Sequence, residues 1–408
     1  MTTLGEKATR QHTRDVNLRL VLRLIYELGA VSRADLARLT NLTRTTVSDV
    51  VGELIERGLV IETGLATGGG IGRTPMLLSV AEWSRPVAAI SVNADSVEGA
   101  LVSLRGNVGR RISRSIQGQT GADALNTLQE TLDELIQTAN QPLLGIGVTT
   151  PGLINASSGM IVRAVGLEWA DLPLGQLLHE RYGLPVKVVN DSQCLALAEH
   201  LFGEWRGVAN LVVLKIGKGV GAGIVLNGQL YAGEGFGAGE IGHLAFTANG
   251  LLCKCGNRGC LETVLGSDAL LHQARTAIAA NPNSILAAYA SDLSLGRIAE
   301  GAAMGDPVAQ HVITTAAAAT GAAVATIISL LSVRHVLITG RITAFGETFA
   351  ELVRREVAQR ALPALVRDTE IRLAPAPTIT PLIGAAAPVL TGELGLIRLH
   401  RREEHVDA

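Results

Sequence analysis

The stretch that decides the fold of this chain reads Glu240-Ile241-Gly242-His243 and, ten residues after that histidine, Cys253-Lys254-Cys255-Gly256-Asn257-Arg258-Gly259-Cys260-Leu261-Glu262. It holds three of the chain's four cysteines. Three thiolates and one imidazole form the closed tetrahedral shell that structural zinc prefers, and the two glycines allow tight turns that bring the sulfurs together. Buried free thiols and disulfides are the other interpretations. The spacing predicts a zinc knot with the ligands His243, Cys253, Cys255 and Cys260.

Two carboxylates, Glu240 and Glu262, stand at the ends of this stretch. With them the chain resembles the ROK family of bacterial sugar-responsive repressors and sugar kinases, whose hallmark is Glu-x-Gly-His followed by Cys-x-Cys-Gly-x-x-Gly-Cys-x-Glu. Every fixed position of that pattern is present. The resemblance extends from an N-terminal DNA-binding segment to Gly384-Ala385-Ala386 near the end. It implies a two-lobed α/β body with the actin-like ATPase (ribonuclease H-like) fold.

The composition agrees with such a body. The chain has 408 residues, enough for two or three domains, and its 47% hydrophobic and 3% aromatic residues with 46 glycines are typical of an aliphatic α/β core. The net charge is only -2, so any contact with DNA must come from a local patch. We see no apolar leader and no run near the ~20 apolar residues of a membrane helix. We therefore expect a cytoplasmic protein without a membrane partner.

The N-terminal segment predicts three helices. Apolar residues at helical spacing indicate a first helix over 17–28. Ser32 caps a second helix over 33–40, and Thr43 opens a third over 43–57. The first turn of the third helix presents donors suited to base edges and phosphates. The candidate DNA-binding residues of these helices are Ser32, Arg33, Thr43, Arg44, Thr45, Thr46 and Ser48.

Two apolar stretches follow, 59–62 and 76–78, and they flank a glycine-rich loop that contains Arg73. This arrangement predicts a winged helix-turn-helix in which Arg73, on the wing, enters the minor groove of DNA. An ordinary helical hairpin with a solvated basic face is the alternative. The motifs Ser-Arg-Ala-Asp-Leu-Ala (32–37), Leu-Thr-x-x-Thr-Val-Ser (42–48) and Gly-Leu-Val (58–60) resemble the repressor branch of the ROK family, whereas ROK kinases lack this domain. We predict a DNA-binding domain over residues 1–82 and a ROK body over residues 83–408.

Strands and helices alternate in the body. Stretches 87–92, 100–104, 122–139 and 143–148 predict the order strand, strand, helix, strand. This order resembles one half of the actin-like ATPase fold, and 211–231 resembles the start of the other half. We expect lobe one over about 83–200 together with a C-terminal helix over about 381–395, and lobe two over about 201–380.

Two loops are expected to face the cleft between the lobes. One contains Gly152 after a Thr-Pro turn, and the other is Asn190-Asp191 at the carboxyl end of a strand. In the ROK family the Asn-Asp pair and the residues around the zinc knot bind sugar hydroxyls. The resemblance therefore implies a sugar site made of Gly152, Asn190, Asp191, Glu240, His243 and Glu262. On its spacing alone, Asn190-Asp191 also fits the cap of a helix over 192–202.

His243 has two expected roles. We expect one of its ring nitrogens to bind zinc and the other to contact a sugar hydroxyl.

ROK kinases use the aspartate of the Asn-Asp pair as a base, and Asp191 keeps that capacity. The nucleotide loops, however, depart from the family. Residues 91–96 lack both glycines of the Asp-x-Gly-Gly-Thr loop, Lys218 replaces the threonine of the second loop, and 339–342 lacks a Gly-Gly pair. The glycines of the second loop are then expected to serve a hairpin, although a lysine could still meet a phosphate. We predict a protein that is not an enzyme.

The sequence thus predicts a sugar-responsive regulator, a repressor of carbohydrate uptake and catabolism genes. We expect it to bind a palindromic operator as a homodimer, or as a tetramer, and to be released by a free aldose of the glucose, N-acetylglucosamine or xylose type. The alternatives are an ATP-dependent sugar kinase with a DNA-binding domain and a zinc-stabilised DNA-binding protein without a ligand. The apolar stretch 308–331 is expected in the core, with a dimer contact as the alternative.

Overall fold

The structure, a computed structural model, describes residues 10–65, 75–374 and 381–395. Its N-terminal unit is a winged helix-turn-helix with a sheet in the order β1-β3-β2. The elements of this unit are α1 (Arg10–Leu28), β1 (Val31–Ser32), α2 (Arg33–Thr40), α3 (Arg44–Glu56), β2 (Val60–Leu65) and β3 (Met76–Val80). Arg73, the expected wing residue, lies outside the described residues.

Local chemistry sets the helix boundaries of this unit. The Ser32 hydroxyl accepts the amide hydrogen of Asp35 at the start of α2, and the Thr43 hydroxyl accepts that of Thr46 at the start of α3. Each cap satisfies an amide that has no partner inside its helix. Asn41 adopts φ 56°, which lets the chain turn sharply between the two helices. The sequence predicted α2 and α3 closely, whereas α1 begins before residue 17.

Lobe one contains a five-stranded sheet in the order β11-β7-β4-β5-β6 and a small sheet in the order β10-β9-β8. The strands are β4 (Val87–Val92), β5 (Ser96–Val102), β6 (Val108–Ser115), β7 (Gly145–Thr150), β8 (Leu153–Asn155), β9 (Met160–Ala164), β10 (Trp169–Leu172) and β11 (Val186–Asn190). The helices are α4 (Gly121–Thr138), α5 (Leu174–Tyr182) and α6 (Asp191–Phe202).

Lobe two contains a second five-stranded sheet, in the order β14-β13-β12-β15-β16. Its strands are β12 (Leu211–Ile216), β13 (Val220–Leu226), β14 (Gln229–Leu230), β15 (His335–Thr339) and β16 (Glu370–Leu373). The remaining helices are α7 (Glu262–Leu265), α8 (Ser267–Ala280), α9 (Leu295–Ala303), α10 (Pro307–Leu331), α11 (Gly346–Arg360), α12 (Pro363–Val366) and α13 (Pro381–Leu394).

The two large sheets share one topology. In each, three consecutive strands pair antiparallel, and the first of them also pairs parallel with a later strand, which pairs parallel with the last. This duplicated arrangement is the predicted actin-like fold, with a cleft between two similar lobes.

The sequence prediction for lobe one missed strand β6. The structure has three strands before α4, whereas the prediction had two. The reason is that β6 is an edge strand with the sequence Val-Gly-Arg-Arg-Ile-Ser-Arg-Ser. Charged residues on an edge strand prevent pairing with other chains, and they also hide the apolar alternation by which a strand is recognised.

Helix α10 has the length and apolar composition of a membrane span, but 67% of its most apolar window is buried inside the protein. Its residues belong to the core of lobe two, where it packs against α11 and α9. The helix therefore lies in the core, as the sequence analysis expected. At its start, the Asp306 side chain accepts the amide hydrogen of Ala309 and caps the helix.

Helices α6 and α13 connect the parts of the chain. Helix α6, which follows directly from β11 of lobe one, packs against β12 and β13 of lobe two and against α13. Helix α13 lies on the sheet of lobe one. Its apolar residues share a single buried cluster with α1, α2 and α3 of the winged unit. The DNA-binding unit therefore rests directly on lobe one.

Candidate sugar and metal site

The four predicted metal ligands lie together. One ligand atom from each of His243, Cys253, Cys255 and Cys260 lies within 4.8 Å of the others. The Cys255 and Cys260 sulfurs are 3.7 Å apart, as are the Cys253 sulfur and His243 Nδ1. Zinc–sulfur bonds of about 2.3 Å place two sulfurs of a tetrahedron about 3.8 Å apart. The geometry therefore fits a tetrahedral metal ion, and the cysteines form no disulfide.

The backbone around this Cys/His cluster is turned tightly. Gly256 and Gly259 have φ angles of 97° and 72°, which L side chains rarely adopt. A Cβ atom on Gly259 would lie 1.9 Å from the Thr247 carbonyl oxygen. Isolated β-bridges pair Ala245 with Cys260 and Leu252 with Arg258. Main-chain bonds thus hold the sulfurs in place, as expected of a preformed site.

His243 connects the Cys/His cluster to the cleft. Its Nδ1 atom faces the Cys253 sulfur, and its Nε2 atom lies 3.8 Å from a carboxylate oxygen of Glu240. One nitrogen is thus placed for a metal and the other for the cleft. The expected contact of Nε2 with a sugar hydroxyl stays a prediction.

Three carboxylates, those of Asp191, Glu240 and Glu262, lie near one another in the cleft. Burial, and then the negative charges of Asp191 and Glu262, raise the pKa of Glu240 to about 7. Glu262 accepts the amide hydrogen of Val220 at 3.0 Å and pairs with Lys254 at 3.1 Å. Carboxylates grouped in this way offer several acceptors for the hydroxyl groups of a polar ligand.

Asn190 is a helix cap and a bridge between loops. Its side-chain oxygen accepts the amide hydrogens of Ser192 and Gln193, at 2.8 and 3.1 Å. Its side-chain nitrogen donates to the Gly152 carbonyl oxygen at 2.8 Å. The capping alternative is therefore correct for Asn190, and the same side chain joins the two loops that were expected at the cleft. One amide hydrogen of Asn190 is left for a ligand.

The sequence analysis missed Lys215, on β12. Its ammonium group forms an ion pair with a carboxylate oxygen of Asp191, and the Asp191 side chain is only 15% exposed. The other oxygen of Asp191 accepts a hydrogen bond from the Ser192 hydroxyl at 3.2 Å. No local sequence signal indicates this pair, because it joins two lobes across 24 positions of the chain.

Two glycines of the predicted second nucleotide loop, Gly221 and Gly223, lie in strand β13 and pack against α6. A Cβ atom on Gly221 would lie 2.5 Å from the Ser192 hydroxyl oxygen, and one on Gly223 would lie 2.3 Å from the Ser192 carbonyl oxygen. These two positions must be glycine if the hairpin is to reach the helix that begins at Asp191. The expectation that the glycines serve the hairpin therefore has a physical reason.

The predicted DNA-binding residues differ in their availability. Arg44, Thr45 and Ser48 are exposed on the first turns of α3. Ser32 is 3% exposed, and its hydroxyl caps α2, so it does not face solvent. Arg33 pairs with Glu62 of the wing strand, and the Thr43 and Thr46 hydroxyls bond to each other at 2.8 Å. The exposed part of the predicted surface is therefore formed by Thr43, Arg44, Thr45 and Ser48.

Comparison with known proteins agrees with this architecture. The ROK family profile matches residues 87–391, and the MarR family profile matches residues 19–69. A putative xylose repressor of Caldicellulosiruptor sp. (strain Rt8B.4) is 31% identical over 93% of this chain and 97% of its own length.

Two solved structures are also similar. A ROK family transcriptional regulator, described as a homolog of the E. coli MLC protein, is 30% identical with a TM-score of 0.81 and covers 94% of this chain and 98% of its own. A ROK glucokinase from Streptomyces griseus is 23% identical with a TM-score of 0.67 over 74% of this chain and 98% of its own, which supports the fold alone. The ROK profile spans most of the chain, and the two solved structures share its fold. This protein therefore belongs to the ROK family and carries a MarR-type winged helix in its N-terminal part.

Proposed function

We propose that this protein is a sugar-responsive transcriptional repressor of carbohydrate uptake and catabolism genes. The observation that carries the proposal is the direct packing of a winged helix-turn-helix on a ROK body whose cleft contains a cluster of carboxylates. The similarity to a putative xylose repressor and to a ROK transcriptional regulator supports it. The protein would act in the cytoplasm, where its operator lies.

The proposed DNA contacts are those of helix α3. Arg44, Thr45 and Ser48 would reach base edges and phosphates in the major groove. A homodimer would place two such helices on the half-sites of a palindromic operator, and a tetramer would use two such pairs. Arg73, outside the described residues, stays a proposed contact in the minor groove.

The proposed ligand is a free aldose of the glucose, N-acetylglucosamine or xylose type. Asp191, Glu240 and Glu262 would accept its hydroxyl hydrogens, and the remaining amide hydrogen of Asn190 would be donated to it. His243 Nε2 would complete the site, and Gly152 would form its wall. Such a site rejects analogues that leave its buried polar groups unpaired.

We propose zinc as the metal of the Cys/His cluster. A set of three thiolates and one imidazole suits this ion, and four protein ligands leave no position for water, so its role would be structural. Bound zinc would fix the loop that carries His243 and would thereby hold one wall of the sugar site.

A sugar kinase is the second candidate, favoured by the place of Asp191 at the start of α6 and by the similarity to a glucokinase fold. Three observations oppose it. Asp191 pairs with Lys215, Lys218 pairs with Asp95, and the Ser91 side chain is buried at 1% exposure. Lys215 occupies one oxygen of the Asp191 carboxylate and the Ser192 hydroxyl the other, and the buried Ser91 offers no carboxylate to magnesium. We therefore propose that the protein is not an enzyme.

A thermal unfolding screen tests the proposal. The zinc-loaded protein is melted with a panel of free aldoses, their 6-phosphates and ATP with magnesium, because a true ligand raises the midpoint. We expect a shift with one neutral sugar and none with ATP. The same sugar should then release the protein from an operator selected out of a random duplex library.

Two results would contradict this function. Turnover of ATP in the presence of an aldose would establish the kinase instead. Binding to DNA that no aldose alters, together with an absent thermal shift, would leave a DNA-binding protein without a sugar ligand.

A further inference from the structure

Three turns from the two lobes meet through charged side chains. Asp95 lies in the turn between β4 and β5 of lobe one, Lys218 in the turn between β12 and β13 of lobe two, and Arg341 directly after β15. We call these residues the interlobe triad. Asp95 contacts the other two with different oxygens: one pairs with the Lys218 ammonium group, and the other accepts from Arg341 Nη2 at 3.1 Å.

The triad has a charge arrangement suited to holding the lobes together. One carboxylate faces two cations, and about one third of the Asp95 and Lys218 side chains is exposed. Burial by itself raises the pKa of Asp95, but hydrogen bonds from Lys218 and Arg341 outweigh it and lower that pKa. Asp95 is therefore a stable anion, and its contacts persist over the neutral range.

Each turn of the triad is fixed by main-chain contacts of its own lobe. The Asp95 carbonyl oxygen accepts the amide hydrogen of Ile116 at 2.8 Å. The Gly217 amide donates to the Gly219 carbonyl oxygen at 2.9 Å, and the Ser267 amide donates to the Gly217 carbonyl oxygen at 2.7 Å. Gly340, with φ 96°, turns the chain beside Ile216 before Arg341. The charges thus sit on rigid supports, so their separation follows the distance between the lobes.

Each residue of the triad belongs to one of the three predicted nucleotide loops. Asp95, Lys218 and Arg341 belong to residues 91–96, 217–223 and 339–342 respectively. In a kinase these loops come together on the phosphates and magnesium of a nucleotide, which link the two lobes. Here the loops contact each other directly, through charges that the chain itself supplies.

We propose that the interlobe triad holds the two lobes closed, as a bound nucleotide would in a kinase. This protein then closes around its sugar without a nucleotide. This inference rests on the proposed sugar-binding function and adds to it the contact between the lobes that helps to set the affinity for sugar. A ligand shifts an equilibrium between open and closed lobes only by its different affinity for the two forms. The triad raises the population of the closed form, and because sugar binds that form preferentially, the apparent affinity for sugar rises with this population.

The test measures sugar affinity in a double-mutant cycle. The full-length zinc-loaded wild type, Asp95→Asn, Lys218→Met and the double variant are titrated calorimetrically with the aldose that shifts the wild-type melting midpoint. We expect each single variant to raise the dissociation constant about two- to fivefold, the size of a partly exposed ion pair, and the double variant to be no worse than either single one. High NaCl should weaken binding to the wild type more than to Lys218→Met.

The matched control is Arg114→Met. Arg114 pairs with Glu134, and their side chains are 30% and 39% exposed, close to the 35% and 35% of Lys218 and Asp95. Both residues of this control pair, however, lie in lobe one. We expect its sugar affinity and salt dependence to equal those of the wild type. Circular dichroism of every variant confirms the fold before titration.

The outcomes separate the triad from the function on which it rests. A wild type that binds no aldose overturns the proposed function and the triad with it. A wild type that binds sugar, with Asp95→Asn and Lys218→Met binding equally well or more tightly, overturns the triad alone. Equal losses in Arg114→Met and the triad variants would also overturn it, because they would show a general effect of charge.

Discussion

At the scale of the residue, Asp191 connects the proposed sugar site with Lys215 of lobe two. Its carboxylate is ion-paired with Lys215 and bonded to the Ser192 hydroxyl. A carboxylate has about four lone-pair sites, so it can still accept sugar hydroxyls while the lysine holds its charge. We propose that Lys215 holds this carboxylate in place as an acceptor for the hydroxyl groups of the sugar.

We expect Asp191→Asn to weaken sugar binding roughly ten- to hundredfold, since it removes a charged hydrogen-bond acceptor and leaves Lys215 without its partner. Operator affinity should be unchanged. Calorimetric titration and fluorescence anisotropy measure the two affinities. Asp133→Asn, which breaks a surface pair with Arg181, is the control and should bind sugar normally. A parallel loss of operator affinity would mean that Asp191 supports the fold and not the ligand.

Replacement of a metal ligand gives a second prediction at this scale. Cys255→Ser should abolish metal binding, measured as zinc content by mass spectrometry, and should abolish the response of operator binding to sugar. Cys194→Ala is the control, because Cys194 is fully buried outside the cluster, and burial raises its pKa to about 12. If Cys255→Ser retains full induction without zinc, the cluster has no structural role in sensing.

At the scale of the element, helices α3, α6 and α13 carry the function. Helix α3 presents the proposed DNA-contacting residues, α6 begins at the proposed sugar site, and α13 packs against α6 and the winged unit. The contact between α6 and α13 is very close, since a Cβ atom on Gly384 would lie 2.2 Å from the Cys194 carbonyl oxygen. A displacement of the start of α6 is therefore expected to move α13 as well, because the two helices are in direct contact.

Helix α3 gives a prediction on DNA binding. Arg44→Ala should weaken operator binding roughly ten- to hundredfold, because an arginine contact in the major groove contributes about 1–3 kcal/mol. Arg38→Ala provides the comparison: Arg38 is a well-exposed arginine of α2 that pairs with Asp35 of its own helix. Anisotropy with the selected operator measures both. Equal effects of the two substitutions would indicate non-specific attraction to phosphates.

The contact between α6 and α13 gives a prediction on stability. Gly384→Ala should lower the free energy of unfolding by about 1–3 kcal/mol, because the new methyl group collides with backbone atoms of α6. Gly392→Ala, in the same helix, places its methyl group 3.5 Å from the Lys187 side chain and should be neutral or slightly stabilising. Urea unfolding measures both variants. A Gly384→Ala variant as stable as the wild type would show that the two helices separate easily.

At the scale of the whole molecule, the winged unit is not a separate body. Its buried residues, among them Leu22, Leu36 and Leu54, form one cluster with strand β4 and helix α13. Arg105 of lobe one donates a hydrogen bond to the Tyr26 carbonyl oxygen at 3.1 Å and lies over the Tyr26 ring. This shared core gives sugar binding in the cleft a direct physical route to the DNA-binding surface.

This shared core predicts how a fragment behaves. An isolated chain of residues 1–82 should lose much of its helical content and unfold without a sharp transition, because its apolar face against lobe one would be exposed to water. Circular dichroism during heating measures this, with the full-length protein as the reference. A fragment that melts cooperatively at the temperature of the full chain would contradict the shared core.

The local elements could be predicted from the sequence, and the long-range contacts could not. Helix α2 and strand β4 were predicted at their observed bounds because caps and apolar periodicity lie within a few residues. The Cys/His cluster was also predicted, because its four ligands lie within a short stretch of the sequence. The pair of Lys215 with Asp191 and the interlobe triad were missed. They join elements that only the packing of the two lobes brings together, and no short stretch of sequence records such packing.

The close approach of Gly221 and Gly223 to α6 bears on how a glycine-rich motif should be interpreted. Glycines that seat a helix are kept by selection for folding, whether or not a phosphate ever binds beside them. A glycine-rich signature can therefore outlive catalysis and should not be taken as proof of it. In the second loop of this chain, Lys218 stands where the family has a threonine, while Gly221 and Gly223 remain in place.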